Sequence, residues 1–578
     1  LLRERIVEEL NRAIRRLRVA GSSYAGLPDA TEVQEPAKPE MGDYASNYAL
    51  VNSKAVGMNP RALGEALAGL LSSLELFSSV EVAGPGFLNF RLRPSEIAAS
   101  VGEVLALGPS GLPRVDGPGL SVNVEFVSVN PNGPITIGSG RGAAFGSTLC
   151  NVLDAAGFRV FREFYVNDAL NSEQMRLFAV SVQHYLEGAS EEEFPEGGYR
   201  GEYVRDVAER IRAGLDGGLP SVDRTRELAE EQMIARQRED LSAFGVTFDA
   251  WFSEKSLHLS GAVDATIELM RERGNADTEP VRNEVVHEGK SSRVEQTAQE
   301  PGPLWLRTVA LGDDKDRVLL RSDGRPAYIA GDLAYMANKL TTRGFDRSIM
   351  ILGPDHHGYL GRLRAVAAAL GYEPERFTPV IYQLVRFLKD GKPAPMRKRD
   401  GNIYELRDLV AEVGVDVARF FYLMRSHDSP MDFDIDLALK SSDDNPVFYV
   451  QYAHARIASV LARGREAGLG EGDWSPAYAS LLEDARELAL IKKILDLPEE
   501  VRRTAADFGV HRLTTYAVEL SRAYHHFYDA CRVVQPDAPG LSRARLALCR
   551  AAQVGLRATL DLLEVSAPER MEREPVSA

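Results

Sequence analysis

The chain has 578 residues, 68 Lys and Arg against 84 Asp and Glu, a formal net charge of −16 and an apolar fraction of 44%. That length predicts several domains with real cores, and the acidic balance argues against whole-surface attraction to nucleic acid or anionic membrane while leaving room for a local basic strip. Cys150, Cys531 and Cys549 are scattered without metal-type spacing, and no apolar run is long enough to span a membrane, so a disulfide framework, a zinc site and a membrane span are not expected, and the cytoplasm is the expected compartment.

From the start, LLRERIVEELNRAIRRL places Leu2, Ile6, Leu10, Ile14 and Leu17 at helical spacing and predicts an amphipathic helix, its interleaved charges matching neither a signal peptide nor a span. Residues 79–92, SVEVAGPGFLNFRL, predict two short strands around a Gly-Pro-Gly turn, and 93–107 a helix. The Gly- and Pro-dense stretch 108–119 reads as a linker. SVNVEFVSV at 121–129 predicts a strand, Phe145, Leu149, Val152, Leu153 and Ala156 a helix, and RVFREFYV at 159–166 the next strand. With a later strand in SIMILG, 348–353, this βαβ unit predicts an α/β Rossmann-type domain built on a doubly wound parallel sheet. Residues 275–302 are polar and aperiodic, which predicts a mobile loop or insertion. From about 445 onward the pattern predicts an all-helical bundle.

NPNGPITIGSGRGAAFG, 130–146, joins the first of these strands to its helix. A glycine-rich turn there puts backbone N–H groups and a helix N-terminus at the mouth of a parallel sheet, where phosphate binds well. It is neither the dinucleotide GxGxxG nor a P-loop, and taken alone it is equally a turn that packs a helix on a sheet. Glu125 lies near the end of the same strand, where a carboxylate is costly without a cation. Tyr328 and Asp332, four apart in AYIAGDLAY, share one helical face and with Glu125 could clasp a guanidinium or ammonium group. PDHHGY, 354–359, follows an apolar strand; adjacent histidines rarely share one metal, so nucleotide contacts or a structural turn are the expected roles. KDGKPAPMRKRDGN, 389–402, is a basic loop able to clamp phosphates, or simply a solvated charge run.

Taken together, MGDYASNYAL, VEVAGPGFLNF, VEFVSVNPNGP, REFYVNDA, FGVTFDAWFSE, DDKDRVLLRSDGRPAYIAGDLAY, ILGPDHHGYLGRL, MDFDIDLALKSSDDNPVFYVQYAHARI and SAPERM, in this order, identify the chain as resembling the arginyl-tRNA synthetases, a class I family, nearly end to end. The resemblance implies an α+β N-terminal tRNA-contacting domain at 1–108, a Rossmann catalytic domain at 119–390, a signature-loop and stem-contact region at 391–444 and an all-α anticodon-binding domain at 445–578. It implies activation of L-arginine with ATP and Mg²⁺, transfer to the 3′ end of tRNA(Arg), no zinc, no membrane, and a monomer. Carried over residue by residue, Glu125, Ser128, Asn130, Tyr328 and Asp332 would hold arginine. Pro131, Gly133, Gly138, Asp355, His356, His357, Met396 and Lys398 would border ATP. Tyr452, His454, Arg456 and Tyr528 would meet tRNA, the aromatics by stacking on unpaired bases.

The sequence departs from the family at both signatures. Where the family carries HIGH, this chain has Thr136-Ile137-Gly138-Ser139, so both histidines are absent while Gly138 remains and two hydroxyls keep hydrogen-bonding capacity. Where the family carries KMSKS, it has Pro395-Met396-Arg397-Lys398-Arg399. Thr136, Gly138, Ser139 and Lys398 are the implied catalytic positions. Leu170 stands where the family usually has glycine. Three readings stand: a working arginyl-tRNA synthetase, a synthetase-like paralogue that binds tRNA or arginine without efficient aminoacylation, and an enzyme that activates arginine for another acceptor.

Overall fold

The apolar stripe of the first seventeen residues is buried along one face of α1 (Leu2–Ala20), and it packs against α2 (Pro60–Leu71), whose Leu63, Leu67 and Leu71 are likewise buried. This computed structural model describes residues 2–36, 38–108, 117–169, 172–215, 217–279, 286–287, 290–291, 302–394 and 403–571. Asn59 opens α2 by accepting the Arg61 N–H, with Pro60 in the first turn where its missing N–H costs nothing. β1 (Tyr44–Ser46), β2 (Phe77–Ala83) and β3 (Phe87–Leu92) form an antiparallel sheet in the order β1–β3–β2, and the expected hairpin turns at Gly84–Gly86. α3 (Pro94–Ala106) packs against helices of the C-terminal half.

The central sheet is parallel throughout, in the order β8–β7–β4–β5–β6: β4 (Ser121–Glu125), β5 (Arg159–Val166), β6 (Ala250–Ser253), β7 (Arg347–Leu352) and β8 (Phe377–Ile381). β4 sits in the middle, flanked by β5 on one side and β7 on the other, so the crevice between the carboxyl ends of β4 and β7 is the switch point at which such sheets take ligands. Val122 and Val124 join the main core with α4 (Ile137–Ala155), which crosses from β4 to β5.

The strand expected over 121–129 stops at Glu125. Phe126 still donates its N–H to the Glu163 carbonyl at 3.2 Å, but Val127 (φ 69°) and Ser128 (φ 42°) turn into the left-handed region, which a β-branched residue rarely adopts. The turn is held from both sides. Phe126 fills the space left by Gly146 on α4, where a Cβ would come within 2.3 Å of the ring. Ser128 Oγ accepts the Tyr165 N–H at 3.0 Å, and its carbonyl accepts from Asn167 Nδ2 at 3.3 Å.

A second core surrounds α5 (Tyr328–Ala337) and includes Leu304, Leu306, Leu319, Leu333 and Leu363. Its antiparallel sheet pairs Leu304–Leu306 with Arg317–Leu320 and Ala276–Asp277, so the stretch 275–302 begins in a strand, and most of the remainder lies outside the described residues. α6 (Val415–Leu423) is followed by a short strand, Met431–Asp434, that pairs with Val385–Lys389, and from Pro446 the chain is helical as expected: α7 (Pro446–Glu466), α8 (Ala485–Leu495), α9 (Leu497–Asp507), α10 (His511–Ala530) and α11 (Pro539–Leu563). α11 ends against α4. Glu564, in the left-handed conformation at φ 54°, sends its carboxylate to Arg419 and Ser147, while Arg419 also donates to the Leu563 and Phe244 carbonyls, both at 3.0 Å.

Candidate active site

One wall of the crevice is the turn from β4 into α4. Gln237, fully buried, donates from Nε2 to the Asn130 and Gly133 carbonyls at 3.1 and 2.8 Å and so fixes the loop from beneath. Asn130 Nδ2 donates to Gln174 Oε1 at 2.6 Å. Pro131 is buried in the loop, which its rigid ring stiffens. Gly133 has open space where a Cβ would lie, and at Gly138 a Cβ would meet only Thr136 Oγ1 at 3.7 Å.

Thr136 is the N-cap of α4. Its Oγ1 accepts the Ser139 N–H at 3.3 Å and lies 3.2 Å from Ser139 Oγ, so the two hydroxyls that replace the family's imidazoles are paired at the helix N-terminus. The backbone here is bridged to the chain that follows the basic loop: Ile137 N donates to the Tyr404 carbonyl at 3.3 Å and Leu406 N to the Ile135 carbonyl at 2.8 Å. The chain at Tyr404–Leu406 therefore lies beside the Thr136–Ser139 turn; Met396 and Lys398 lie outside the described residues, as does Leu170.

The opposite wall follows β7. Pro354–Tyr359 forms a short 3₁₀ turn in which Asp355, His356 and His357 are exposed, with His357 Nε2 2.8 Å from the Gln383 amide nitrogen.

Below the crevice lies a nest of acids. Glu125 is buried at the end of β4 and pairs with Lys339 Nζ at 2.5 Å, the cation that such a carboxylate needs. Lys339 reaches it from a π-helical turn, Asn338–Thr342, at the end of α5. The neighbouring Glu163 is satisfied by Tyr335 OH at 2.7 Å and by Arg343, which hold it below the usual carboxylate range. Asp332 and Glu254 differ. Asp332 accepts from the Tyr359 hydroxyl, and burial pushes its pKa up to about 6 although Arg362 pulls the other way. Glu254, just past β6, is pushed up to about 7 by burial and then by the charges of Asp332 and Asp168. Asp168 accepts from Ser253 Oγ at 2.5 Å and from Lys255 N at 2.9 Å. Tyr328, one turn before Asp332 on α5, is 78% exposed at the rim. Two neighbouring acids with raised pKa values, ringed by phenols and facing a partly open site, are a chemistry suited to a cation with several donors.

The structure thus gathers Glu125, Ser128, Asn130 and Asp332 at the carboxyl ends of the sheet. The sequence reading missed Glu254, Asp168 and Lys339. Glu254 was findable by the rule that singled out Glu125, since it follows directly on a strand's carboxyl end.

On the helical side, Arg456 of α7 lies over the rings of Tyr528 and Tyr452, 4.8 and 5.5 Å from their centroids, and Nη1 approaches His525 Nδ1 at 3.1 Å. Tyr528 OH also accepts from Arg463 at 3.0 Å. His454 does not belong to this surface. It is fully buried, with Nδ1 2.8 Å from the Pro568 carbonyl, and burial lowers its pKa, so its expected tRNA contact is corrected to a neutral tie between α7 and the C-terminal segment.

Comparison with known proteins places this geometry. Residues 248–424 match the family model described as tRNA synthetases class I (R), catalytic domain, which gives the class to which the sheet and its crevice belong. Residues 1–92 match the arginyl tRNA synthetase N terminal domain, and 450–571 the DALR anticodon binding domain. The arginine–tRNA ligase of Carboxydothermus hydrogenoformans is 40% identical over 580 residues, covering 99% of this chain and 100% of the relative. That of a Geobacter species is 41% identical over 570 residues, covering 95% and 97%. The Thermus thermophilus arginyl-tRNA synthetase structure shares the fold, with a TM-score of 0.73 at 21% identity over 99% of this chain and all of that one. The chain belongs to the arginyl-tRNA synthetase family.

Proposed function

We propose that this protein activates L-arginine with ATP and transfers it to the 3′ end of tRNA(Arg), acting as a monomer in the cytoplasm. The observation that carries the reading is the pair Asp332 and Glu254: two half-buried acids with raised pKa values, at the mouth of a parallel sheet in a chain that matches arginine–tRNA ligases from end to end. The guanidinium of arginine would lie between them with Tyr328 at the rim, its positive charge favouring their ionised forms. Glu125, already neutralised by Lys339, shapes the pocket floor. Ser128 and Asn130 would hold the α-amino group, which turns the substrate carboxylate toward the crevice.

ATP would lie between the turn at Gly133–Ser139 and the rim at Asp355–His357. The N-terminal dipole of α4, the Thr136 and Ser139 hydroxyls and Lys398 would stabilise charge at the phosphates. A carboxylate oxygen of arginine attacks the α-phosphorus, the bond to the bridging oxygen breaks, and pyrophosphate leaves. The terminal tRNA hydroxyl then attacks the arginyl carbonyl and AMP leaves. Mg²⁺ bound with ATP would supply screening of the phosphate charge. We assign this chemistry to residues 119–390 with the loop region 391–444, and tRNA contacts to 1–108 and 445–578, through Tyr452, Arg456 and Tyr528.

The test is charging of arginine tRNA by the purified protein with ATP, Mg²⁺ and arginine, with lysine as the comparison amino acid. Arginine-specific charging supports the reading. No charging with tRNA binding retained overturns it in favour of a binding protein.

A further inference from the structure

Arg141 lies one turn into α4 and is 1% exposed. Its guanidinium makes no ion pair among the described residues. It donates to three backbone carbonyls instead: from Nη1 to Gln383 at 2.8 Å and Ser429 at 2.9 Å, and from Nη2 to Ser426 at 2.7 Å. Burial lowers its pKa only to about 10, so it stays charged at neutral pH. Asp428 favours the charge only from beyond ion-pair distance, a buried charge held by carbonyls is costly, and simple packing would be served better by an apolar side chain.

The three carbonyls share one structural task. Gln383 follows β8, and its side-chain amide meets His357 on the far wall of the crevice. Its N–H donates to the His427 carbonyl at 2.8 Å, and the His427 ring stacks on Phe145 of α4 at 4.8 Å. Beside Arg141, Gly142 has no Cβ, which would lie 2.6 Å from the Tyr382 ring, so Tyr382 rests directly on the helix. The Tyr382 hydroxyl in turn lies 3.6 Å from where a Cβ on Gly353 would sit, at the base of the 354–359 turn. One continuous set of contacts therefore runs from α4, through Arg141, Tyr382 and Gln383, to the opposite rim.

We propose that Arg141 is a positioning residue for the nucleotide, setting the separation between the α4 N-terminus and the 354–359 rim by holding Gln383 between them. The inference rests on the assignment of this crevice to ATP under Proposed function. The proposed arginine pocket, among Glu125, Asp332 and Glu254, touches the rim at Tyr359, whose hydroxyl meets Asp332, whereas Gln383 holds the rim at His357, so loosening the Gln383 link acts on ATP before arginine.

Two variants test it in ATP–pyrophosphate exchange with tRNA present. Arg141→Lys keeps the charge but cannot span three carbonyls, and the KM for ATP rises at least about tenfold, since small misplacements of a binding wall are costly. Gln383→Ala leaves the buried charge in place and removes only the reach to His357, and the KM for ATP rises about threefold, less than one hydrogen bond's full worth. In both, the KM for arginine stays within about twofold of the wild type. Equal rises in both KM values overturn the proposal, because that is the signature of a general structural lesion. An unchanged KM for ATP in Gln383→Ala also overturns it, and that variant decides alone if Arg141→Lys does not fold. A wild-type protein without exchange overturns the functional reading and this inference together, whereas an active wild type with unaffected variants overturns this inference alone.

Discussion

Asp332 and Glu254 both carry pKa values above their ordinary ones, about 6 and about 7. The sign of the consequence is fixed by linkage. An acid whose folded pKa is raised binds its proton more tightly in the folded state, so it favours folding while protonated and withdraws that support as pH rises through the folded value. As pH rises from about 4 to about 7 these two groups lower the stability of the free protein, and arginine bound between them as proposed, needing them ionised, offsets the loss. The measurement is thermal unfolding with and without arginine across that range, and the stabilisation by arginine grows with pH. Glu254→Gln removes one repulsive charge and one guanidinium partner. It flattens this dependence and raises the KM for arginine by about 10–100-fold, the worth of a charged hydrogen bond. An unchanged KM excludes Glu254 from the pocket. The same scale shows what the sequence made legible. Glu125, Tyr328 and Asp332 could be chosen because helical spacing and strand ends are local properties. Lys339 could not, because it reaches Glu125 from a π-helical turn more than two hundred residues away. His454 was misread although its position was informative: it lies four residues after Val450 and three before Ile457, on the buried stripe of α7.

Among the elements, α4 carries the widest burden. Its first turn holds the Thr136–Ser139 hydroxyl pair, its second holds Arg141, and its later turns receive Phe126 and Glu564. Thr136 caps the helix, and its proposed place beside the phosphates is separable from that role. Thr136→Ala removes the cap and lowers stability by about 1 kcal/mol, read as a shift in urea midpoint at constant slope. Thr136→Ser keeps a capping oxygen and restores most of that stability. A Thr136→Ala protein as stable as the wild type shows that backbone pairing with Tyr404 and Leu406 suffices to hold this end. The element order and the parallel sheet were legible because alternation and helical periodicity survive in sequence. The end of β4 was not, because Val127 and Ser128 continue the alternating pattern while the backbone has already turned left-handed. That turn is imposed by Gly146, against which Phe126 packs, and by Tyr165, both of them tertiary partners.

Across the whole molecule, the two ends of the chain converge on the centre. α3 packs against α8 and α11, with Trp474 lying where a Cβ on Gly102 would be, and Lys492 of α8 bonds Asp43 at 2.9 Å. The tightest junction is Arg419, which is fully buried and whose carboxylate partner comes from the residue just beyond α11. Glu564→Ala leaves that guanidinium with carbonyls and a serine alone, and the expected loss is about 3 kcal/mol, the low end for breaking a buried pair because Glu564 is itself partly exposed. Denaturant titration measures it, and a loss below about 1 kcal/mol shows that the carbonyls already satisfy Arg419. Glu564 was unremarkable in the sequence, since a single acid after a long helix has no local signature of what it meets.

The Arg419 junction bears on how far the molecule can be divided. A shortened polypeptide ending near residue 444 would retain the acids around Asp332 and Glu254, yet it would also retain a buried guanidinium stripped of its carboxylate and a helix, α4, bared along the face that α9 and α11 now cover. The catalytic half is thus not a detachable module. An exchange of anticodon-reading portions between relatives succeeds only where the donor also brings an acid one residue past its last helix, so recombination breakpoints in such chimaeras belong inside α6 or upstream of it rather than at the apparent boundary before α7.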